Sequence, residues 1–439
     1  MAIRRNALLS ADRSHVVAAL GNFRGVPGAL WLAPGHPVHS GHFRRRSWPA
    51  VSSLPTARLV EAVAASAPNH CIDGWSYAAR ATSALLAGDY HACRHLAYYA
   101  QLRAGLCILA NLGIGIFNRI NFAIDAAGRI QRIDDPGHGA AQLGIGTHGV
   151  VWAALEAWST DPIAARIFLD LVKVRGVTLR DSLEAIWPGA GSHAVAATLI
   201  RSWGLDLRRA SQDHRERNVS SYTPQTLNPL TTSTQASLEL VAQFWELCEP
   251  TIGTGFDNLD RFLLRGVLQA QHRQITRHTR YGSGPIARNY TSLDPRIISL
   301  ASLDFLTGIV DPGDPSLLLA ARATTQPAEP TEMLARSYIL LRGATAFTHS
   351  ALLEAGLDLS AGDLRPWIDE FAQQRGFWAP AAPLADPVDL WADIELAMID
   401  FNASRDPAPA CWHEWMSLSN KGLPQISEIE RVGVWSLSA

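Results

Sequence analysis

The sequence predicts a mainly α protein, built from multi-helix bundle domains with one short β-hairpin and an extended N-terminal arm. Apolar residues recur at helical spacing over most of the chain, and residues that cap helices stand where these runs begin. The hydrophobic content of 47% and the charged content of 18% are typical of a globular protein. At about 150 residues per domain, the 439 residues suggest two or three domains.

The first segment, residues 1–56, is predicted to be a basic arm rich in glycine, proline, histidine and arginine. The chain up to Arg58 has eight arginines against one acid, whereas residues 354–406 have eleven acids against three arginines. We expect the arm to lie on this acidic region. The alternative is that its arginines contact a phosphate backbone.

Residues 57–222 are predicted to form a helical bundle. A first helix is expected to stop at Pro68, because proline breaks the interior of a helix. Two antiparallel helices, 75–86 and 90–112, follow and are joined by a short turn with an aspartate cap. A β-hairpin is expected at 121–133, where two short apolar runs flank a glycine turn. Further helices are predicted at 147–158, 162–174, 178–186 and 192–217.

Residues 223–237, with two prolines and many serines and threonines, are predicted to be a linker. A second helical domain, 238–439, is expected to follow, with an acidic, tryptophan-rich C-terminal part. The short run Arg431-Val-Gly-Val-Trp-Ser-Leu437 is predicted to add a terminal strand. Helices of this domain are predicted at 238–249, 258–276, 295–308, 331–356, 363–375 and 388–401.

The composition excludes several classes of enzyme. Only Lys173 and Lys421 are lysines, and neither stands in a Walker A loop or a Ser-x-x-Lys motif. Five cysteines form no Cys-x-x-Cys pair, so reduced thiols and a cytoplasmic location are expected. The longest apolar run, 104–117, is too short to span a bilayer, so no membrane contact is predicted. No cofactor is predicted.

The most informative motif lies at residues 208–222. Arg209 is followed after four residues by His214, and Arg217-Asn218 is followed after three by Tyr222. This pattern resembles the HEPN superfamily of small helical bundles, whose active members have an arginine, often followed by a polar residue, and a histidine four to six positions later.

The resemblance implies metal-independent RNA cleavage at a dimer interface, in a bacterial protein of stress or phage (antiviral) defence. The arginine would stabilise charge on the phosphorus, and the histidine would act as acid or base on the ribose 2′-OH and the leaving oxygen. Carried over by position, the catalytic residues are Arg209, His214, Arg217, Asn218 and Tyr222. Tyr222 stands where the second motif would have a histidine.

The same residues also fit a helical turn whose basic side chains favour the C-terminal end of a helix dipole. On an ideal helix, His214 and Arg217 share a face, whereas Arg209 and His214 lie about 140° apart. Bringing Arg209 to His214 therefore needs a helix end between them or a partner subunit.

A second basic segment interleaves cations with aromatic residues, a composition suited to single-stranded nucleic acid. A domain interface with the acidic cluster of Asp386, Asp389, Asp393 and Glu395 is the alternative. The residues predicted to bind nucleic acid are Arg273, Arg277, His278, Arg280, Tyr281 and Arg288.

Two further features involve histidines. His91, Cys93 and His95 offer metal-ligand types, but Cys93 would point away from the two histidines on a helix, so no metal site is predicted. That helix, with Tyr98 and its neighbours, fits a packed aromatic seam or a substrate-lining face. Thr147 and His148 lie at the start of an apolar helix, which is either a capped helix or an anion site.

The leading hypothesis is therefore a HEPN-like helical protein that acts on or binds RNA or another nucleic acid. The alternative is a non-enzymatic helical scaffold that docks a partner protein through its tryptophan-rich, acidic C-terminal region. The expected partners are RNA or another nucleic acid, a partner protein, or a second copy of the chain. If the protein is an enzyme, we expect a metal-independent ribonuclease.

Overall fold

The computed structural model describes residues 3–39, 48–117, 120–134, 147–189, 195–223, 225–251, 256–276, 284–308, 313–359, 361–406, 409, 411–418 and 423–438. The fold is mainly helical (71%), with a small three-stranded antiparallel sheet and a two-stranded hairpin. The predicted fold class is confirmed.

Helices of the first half of the chain precede residue 223. They are α1 (Arg5–Leu9), α2 (Ser14–Leu20), α3 (Trp48–Ser52), α4 (Thr56–Leu86), α5 (Tyr90–Asn111), α6 (Thr147–Ser159), α7 (Pro162–Leu171), α8 (Leu179–Ile186), α9 (Ala196–Ser202) and α10 (Ala210–Tyr222). The second half contributes α11 (Thr234–Leu247), α12 (Asp257–Thr276), α13 (Gly284–Asn289), α14 (Pro295–Leu300), α15 (Leu303–Thr307), α16 (Ser316–Arg322), α17 (Pro330–Glu354), α18 (Arg365–Arg375), α19 (Leu390–Arg405), α20 (Trp412–Leu418), α21 (Leu423–Ser427) and α22 (Glu430–Ser438).

The sheet is a short antiparallel meander. Strand β1 (Ile114–Phe117) pairs with β2 (Ile120–Ile124), and β2 pairs with β3 (Ile130–Arg132). The β2–β3 unit is the predicted hairpin, and β1 is an addition to it. A separate hairpin, β4 (Lys173–Val174) with β5 (Val177–Thr178), was not predicted.

Helices α4 and α5 form the antiparallel pair that the sequence predicts. Asp89 caps α5, because its side chain accepts a hydrogen bond from the Ala92 N–H at 2.9 Å. The predicted stop at Pro68 is wrong, since α4 continues through this residue. Proline inside a helix costs about 3 kcal/mol or more, but α4 is buried over most of its length. Burial of apolar surface in tertiary packing outweighs that local cost.

Helix α17 lies at the centre of the molecule and packs against both α4 and α5. It is buried over nearly all of its length, and it carries two buried arginines. Arg336 bonds both carboxylate oxygens of Asp213, at 3.0 and 2.9 Å. Arg342 bonds both oxygens of Asp260, at 2.8 and 2.7 Å. These two-point ion pairs fix the position of α17 against α10 and α12.

Two predicted helices are each divided in the structure. The run 192–217 becomes α9 and α10, because the chain turns at Gly204, whose φ of +97° is outside the helical range. The run 295–308 becomes α14 and α15, and Ser302 caps the second of these by accepting from the Phe305 N–H. Turn residues inside an apolar run therefore interrupted helices that the spacing alone predicted as continuous.

The predicted terminal strand at 431–437 is wrong, because this segment is helix α22. The described side chains of this run are buried, so its apolar pattern has no exposed face to mark a helical or a strand period. Gly433 permits close contact with α4: a Cβ atom there would lie 2.6 Å from Cδ1 of Trp75.

The N-terminal segment is built from short helices and turns rather than extended chain, and it does lie on the acidic C-terminal region. Arg13 pairs with Glu354 at 2.6 Å, and Arg24 pairs with Asp363. Leu8 and Val16 are buried in the common core. Residues 40–47 lie outside the described residues.

The predicted linker at 223–237 contains a 3-10 turn, Gln225–Leu227, and α11 begins inside it at Thr234. The Tyr90 hydroxyl donates to the Thr232 carbonyl at 2.9 Å, which ties this segment to α5. The division into domains 57–222 and 238–439 stays a prediction. None of the helices in the described ranges combines the length and apolar character needed to cross a lipid bilayer.

A buried carboxyl group in α22 predicts an unusual dependence of stability on pH. Glu430 is 5% exposed, and this burial raises the pKa of its carboxyl to about 7, even though Arg375 lies 3.4 Å away. In the unfolded chain the group titrates near its ordinary value of 4.5. Between these values the folded state holds a proton that the unfolded state has lost. The contribution of Glu430 to the free energy of unfolding should therefore be fully present below pH ~4.5 and be lost, by about 3 kcal/mol, as pH rises to ~7.

Glu430→Gln should remove this contribution, because the amide stays neutral at every pH. We expect denaturant titrations at several pH values to show a higher stability than wild type at pH ~8. Glu395→Gln makes the same charge change at an exposed position of α19 and serves as the control. An unchanged pH dependence in the Glu430 variant would contradict the assignment.

Candidate functional site

Three helices bring titratable and aromatic side chains into one cluster. Tyr98 and Tyr99 lie on α5, His148 is the second residue of α6, and His214 and Arg217 lie one turn apart on α10. Because residues three apart share a helix face, His214 and Arg217 both point toward α5. We call these five residues the histidine–tyrosine cluster.

The rings of the cluster are stacked. His148 and His214 lie nearly parallel, with ring centroids 5.0 Å apart and an interplanar angle of 7°. Tyr98 stacks against both imidazoles, at 5.3 Å from His214 and 5.5 Å from His148. Tyr99 meets His148 edge-on at 5.9 Å. This packing holds the two imidazoles in fixed orientations.

A hydrogen-bonded chain fixes the tautomer of His148. The Trp152 indole N–H donates to the Tyr98 oxygen at 3.2 Å, and that oxygen lies 3.0 Å from Nδ1 of His148. An indole nitrogen can only donate, so the buried Tyr98 hydroxyl directs its own hydrogen to Nδ1. His148 then carries its proton on Nε2.

The surroundings keep both imidazoles neutral near pH 7. Burial, with smaller effects from His214 and Arg217, lowers the pKa of His148 to about 4. Burial and the charge of Arg217 also lower the pKa of His214. Among the described residues, neither ring nitrogen of His214 has a hydrogen-bond partner. His214 therefore offers a free, unprotonated nitrogen, as a general base requires.

Arg217 is a buried cation, and none of the described residues gives it an anionic partner. Its side chain is stacked over the Tyr99 ring at 4.9 Å, and only 8% of the residue is exposed. One terminal nitrogen donates to the Tyr99 hydroxyl and the other to the Asn218 side chain at 2.8 Å. Its buried Nε has no hydrogen-bond partner in the part of the chain that the structure describes.

The acids nearest to Arg217 along α10 are paired with other arginines. Asp213 bonds Arg336, and Glu216 lies 3.3 Å from Arg94. No carboxylate of the described residues forms an ion pair with Arg217. Because a buried charge is costly without a counter-charge, this site is suited to bind an anion.

The structure places the predicted catalytic residues in two groups. His214, Arg217 and Asn218 lie together at the cluster. Arg209 instead donates to the Ala323 carbonyl at 2.7 Å, and Tyr222 is 79% exposed at the last position of α10. Among the contacts of the described residues, none joins Arg209 to His214, whereas Arg217 lies one turn from His214 on the same helix.

Of the predicted nucleic-acid-binding residues, Arg273 lies in α12 and Arg288 is exposed on α13. Arg277, His278, Arg280 and Tyr281 lie outside the described residues. Of the acidic cluster proposed as an internal partner, Asp393 pairs with Arg431 at 2.9 Å.

The helix of His91 and His95 supplies the aromatic seam that its sequence suggested. His95 lies 2.6 Å from the Ser221 hydroxyl and 5.0 Å from the Tyr99 ring, so it borders the cluster. Burial lowers the pKa of His95 as well. Within the described residues, no group of three histidine, cysteine or acidic side chains could hold a metal ion.

No pattern in the sequence joins Tyr98 and His148 to His214. Each was visible singly, as part of a helical seam or beside a helix start, but about 50 to 120 residues separate them. Comparisons with family models, with curated proteins and with solved structures found no match, so the arrangement of the side chains is the basis for assigning a function.

Proposed function

We propose that the protein is a HEPN-like, metal-independent RNA-binding protein that cleaves RNA at the histidine–tyrosine cluster. One observation carries the proposal: the buried Arg217 guanidinium has an unpartnered Nε and no carboxylate partner among the described residues. Neutral His214 lies on the same face of α10. A cation that can bind a phosphate beside a free base is the minimum needed to cleave a ribose phosphate.

The proposed reaction is an internal transfer that needs no metal. His214 takes the proton from the ribose 2′-OH, and the 2′ oxygen attacks the phosphorus. Arg217 stabilises the additional negative charge on the phosphoryl oxygens. The bond to the 5′ oxygen breaks, and protonated His214 returns its proton to that oxygen. The products are a 2′,3′-cyclic phosphate and a free 5′ hydroxyl.

The aromatic rings support this role. Tyr98 and His148 hold the His214 ring by stacking, and Asn218 and Tyr99 hold the two terminal nitrogens of Arg217. A base and a cation fixed in this way lose little conformational entropy when substrate binds. Tyr222 and Arg209 are not needed in this scheme.

A surface on α19 favours the alternative function, a scaffold that docks a partner protein. Leu396 and Ile399 are 68% and 63% exposed and are spaced one turn apart. Exposed Glu395 and Asp400 lie beside them. Exposed apolar side chains with a charged rim are typical of protein-binding surfaces. Two results together would favour this function: a partner protein that co-purifies, and RNA that does not compete with heparin for binding to the protein at ~0.15 M salt.

Replacing Arg217 tests the proposed phosphate contact. We expect Arg217→Gln to weaken the binding of a single-stranded RNA oligonucleotide by about 10- to 100-fold, the loss of one charge-assisted contact. The slope of binding against salt should also decrease, because one fewer counterion is released. Fluorescence anisotropy at several salt concentrations measures both quantities. Arg215→Gln, an equal charge change at an exposed position of α10, should leave binding nearly unchanged.

The melting temperature separates this role from a structural one. Because Arg217 is buried and no described carboxylate neutralises it, its replacement by neutral glutamine should leave the melting temperature unchanged or higher. A structural arginine would give the opposite result. A lower melting temperature with unchanged RNA affinity would rule out the proposed contact.

A further inference from the structure

A cavity lies beside the C-terminal half of α17, and Arg342 is one of its lining residues. It is bounded by α17, the end of α22, strand β4 and the chain after α17, and its volume is about 350 Å³. This volume lies within the range of small-molecule sites, about 300–1,000 Å³. None of the five residues of the histidine–tyrosine cluster lines it.

The interior of this cavity is mostly apolar. Leucines from α7, α17 and α22 line it, together with Phe256 and Ala346. Leu437 and Phe256 are 2% and 1% exposed, so these walls belong to the protein core. Such walls are suited to the aliphatic or aromatic body of a ligand.

One wall carries a buried polar group, the hydroxyl of Ser436. Ser436 lines the cavity and is 5% exposed, and within the described ranges its hydroxyl has no hydrogen-bond partner. A serine in a helix commonly bonds the carbonyl four residues earlier, but this one does not. A buried, unsatisfied hydroxyl is costly unless a bound molecule or water satisfies it.

The cations that line the cavity outnumber its acids. Lys173 and Arg342 line it, and Asp358 is the acid among its lining residues. Arg342 is held by Asp260, whereas Lys173 is exposed and forms no ion pair with any described residue. Burial lowers the pKa of the His349 imidazole, which also lies in the wall; a hydrogen bond with the Leu437 backbone raises it, and the charges of Arg342 and Lys173 lower it. With Arg342 held by Asp260, Lys173 is the lining cation that is available to an anionic ligand.

We propose that this cavity binds a small carboxylate with an apolar body, of the size of a medium-chain fatty acid. The carboxylate bonds Lys173 at the mouth and the Ser436 hydroxyl, and the apolar body lies among the leucines. This site is independent of the RNA site, since it shares no residue with the cluster.

Isothermal titration calorimetry with decanoate tests the proposal on the full-length protein. We expect saturable binding of decanoate at a ratio of one to one, and much weaker binding of decylamine, which has the same chain and the opposite charge. Lys173→Gln should weaken decanoate binding about tenfold, the loss of one charge-assisted hydrogen bond. Arg215→Gln, an equal charge change on α10, should have no effect.

A variant that fills the cavity gives a second test. Ala346→Phe should abolish decanoate binding by occupying the apolar end of the cavity. If this variant does not fold, Lys173→Gln still tests the proposal, because the Lys173 side chain is exposed. The double replacement Leu396→Ser with Ile399→Ser controls for adsorption on the apolar surface of α19. Any one of four results would overturn the proposal. They are equal affinity for decanoate and decylamine, no saturable binding, unchanged binding in Lys173→Gln, and loss of binding in the α19 variant.

Discussion

Replacing His214 by alanine is expected to lower the rate of RNA cleavage by about 10²- to 10⁴-fold, the usual contribution of a positioned acid–base group. The imidazole is half-buried and stacks on Tyr98 and His148, and among the described residues it forms no hydrogen bond. Its removal should therefore cost the fold little. Single-turnover cleavage of an RNA oligonucleotide, with a chelator present, measures the rate.

His413→Ala is the matched control, because His413 is an exposed histidine on α20. It should leave both the rate and the melting temperature unchanged. Cleavage products should end in a 2′,3′-cyclic phosphate. If His214→Ala still cuts RNA at the wild-type rate, the proposed base is wrong, and with it the assignment of the cluster as a ribonuclease site.

The pH dependence of the rate gives an independent check on the same histidine. A general base acts only when it is unprotonated, so the rate should rise with pH until the folded pKa of His214 is passed. Burial and Arg217 place this pKa below the ordinary value of 6.5. The rate should therefore already be on its plateau at pH 7. An acid limb centred above 6.5 would contradict the site described here.

Replacing Asp260 by alanine is expected to destabilise the fold by about 3–5 kcal/mol. Asp260 is 1% exposed and bonds the Arg342 guanidinium at two points. Loss of the carboxylate leaves a buried arginine without its counter-charge, in the middle of α17. Urea denaturation measures the difference, and the unfolding midpoint should shift without a change in the slope.

Asp170→Ala tests whether burial causes this effect. Asp170 pairs with Arg180 through the same groups, but its side chain is 46% exposed. An exposed pair of this kind contributes about 0–1 kcal/mol. Equal losses in the two variants would show that the position of Asp260 in the core has no special importance. The double replacement Asp260→Leu with Arg342→Met should recover part of the loss, since no charge is then left unpaired.

Most of the helices were predictable from the sequence. Each of them buries an apolar face, and apolar residues at the helical period mark that face in the sequence. The errors occurred where a distant contact decided the local structure. Helix α4 passes through Pro68 because its surroundings bury it on most sides. Residues 431–437 form a helix that the sequence pattern did not predict, because a run buried on all sides has no polar face to mark the helical period.

The candidate site was predictable only along α10. The spacing of His214 and Arg217 places them on one helix face, and this follows from the geometry of an isolated helix. Asp213 and Glu216 pair with Arg336 and Arg94, which lie on helices distant in sequence. These pairs leave Arg217 without an acidic partner among the residues that the structure describes. No spacing within 208–222 could reveal that missing counter-charge.

The central position of α17 also affects how the chain can fold during synthesis. Helices α4 and α5 leave the ribosome about 220 residues before α17, against which both of them pack. At roughly 5–20 residues per second, their apolar surfaces wait about 10–45 s for that partner. We therefore expect the nascent chain to be a client of chaperones over this interval, and a ribosome stall before residue 330 should leave α4 and α5 sensitive to protease.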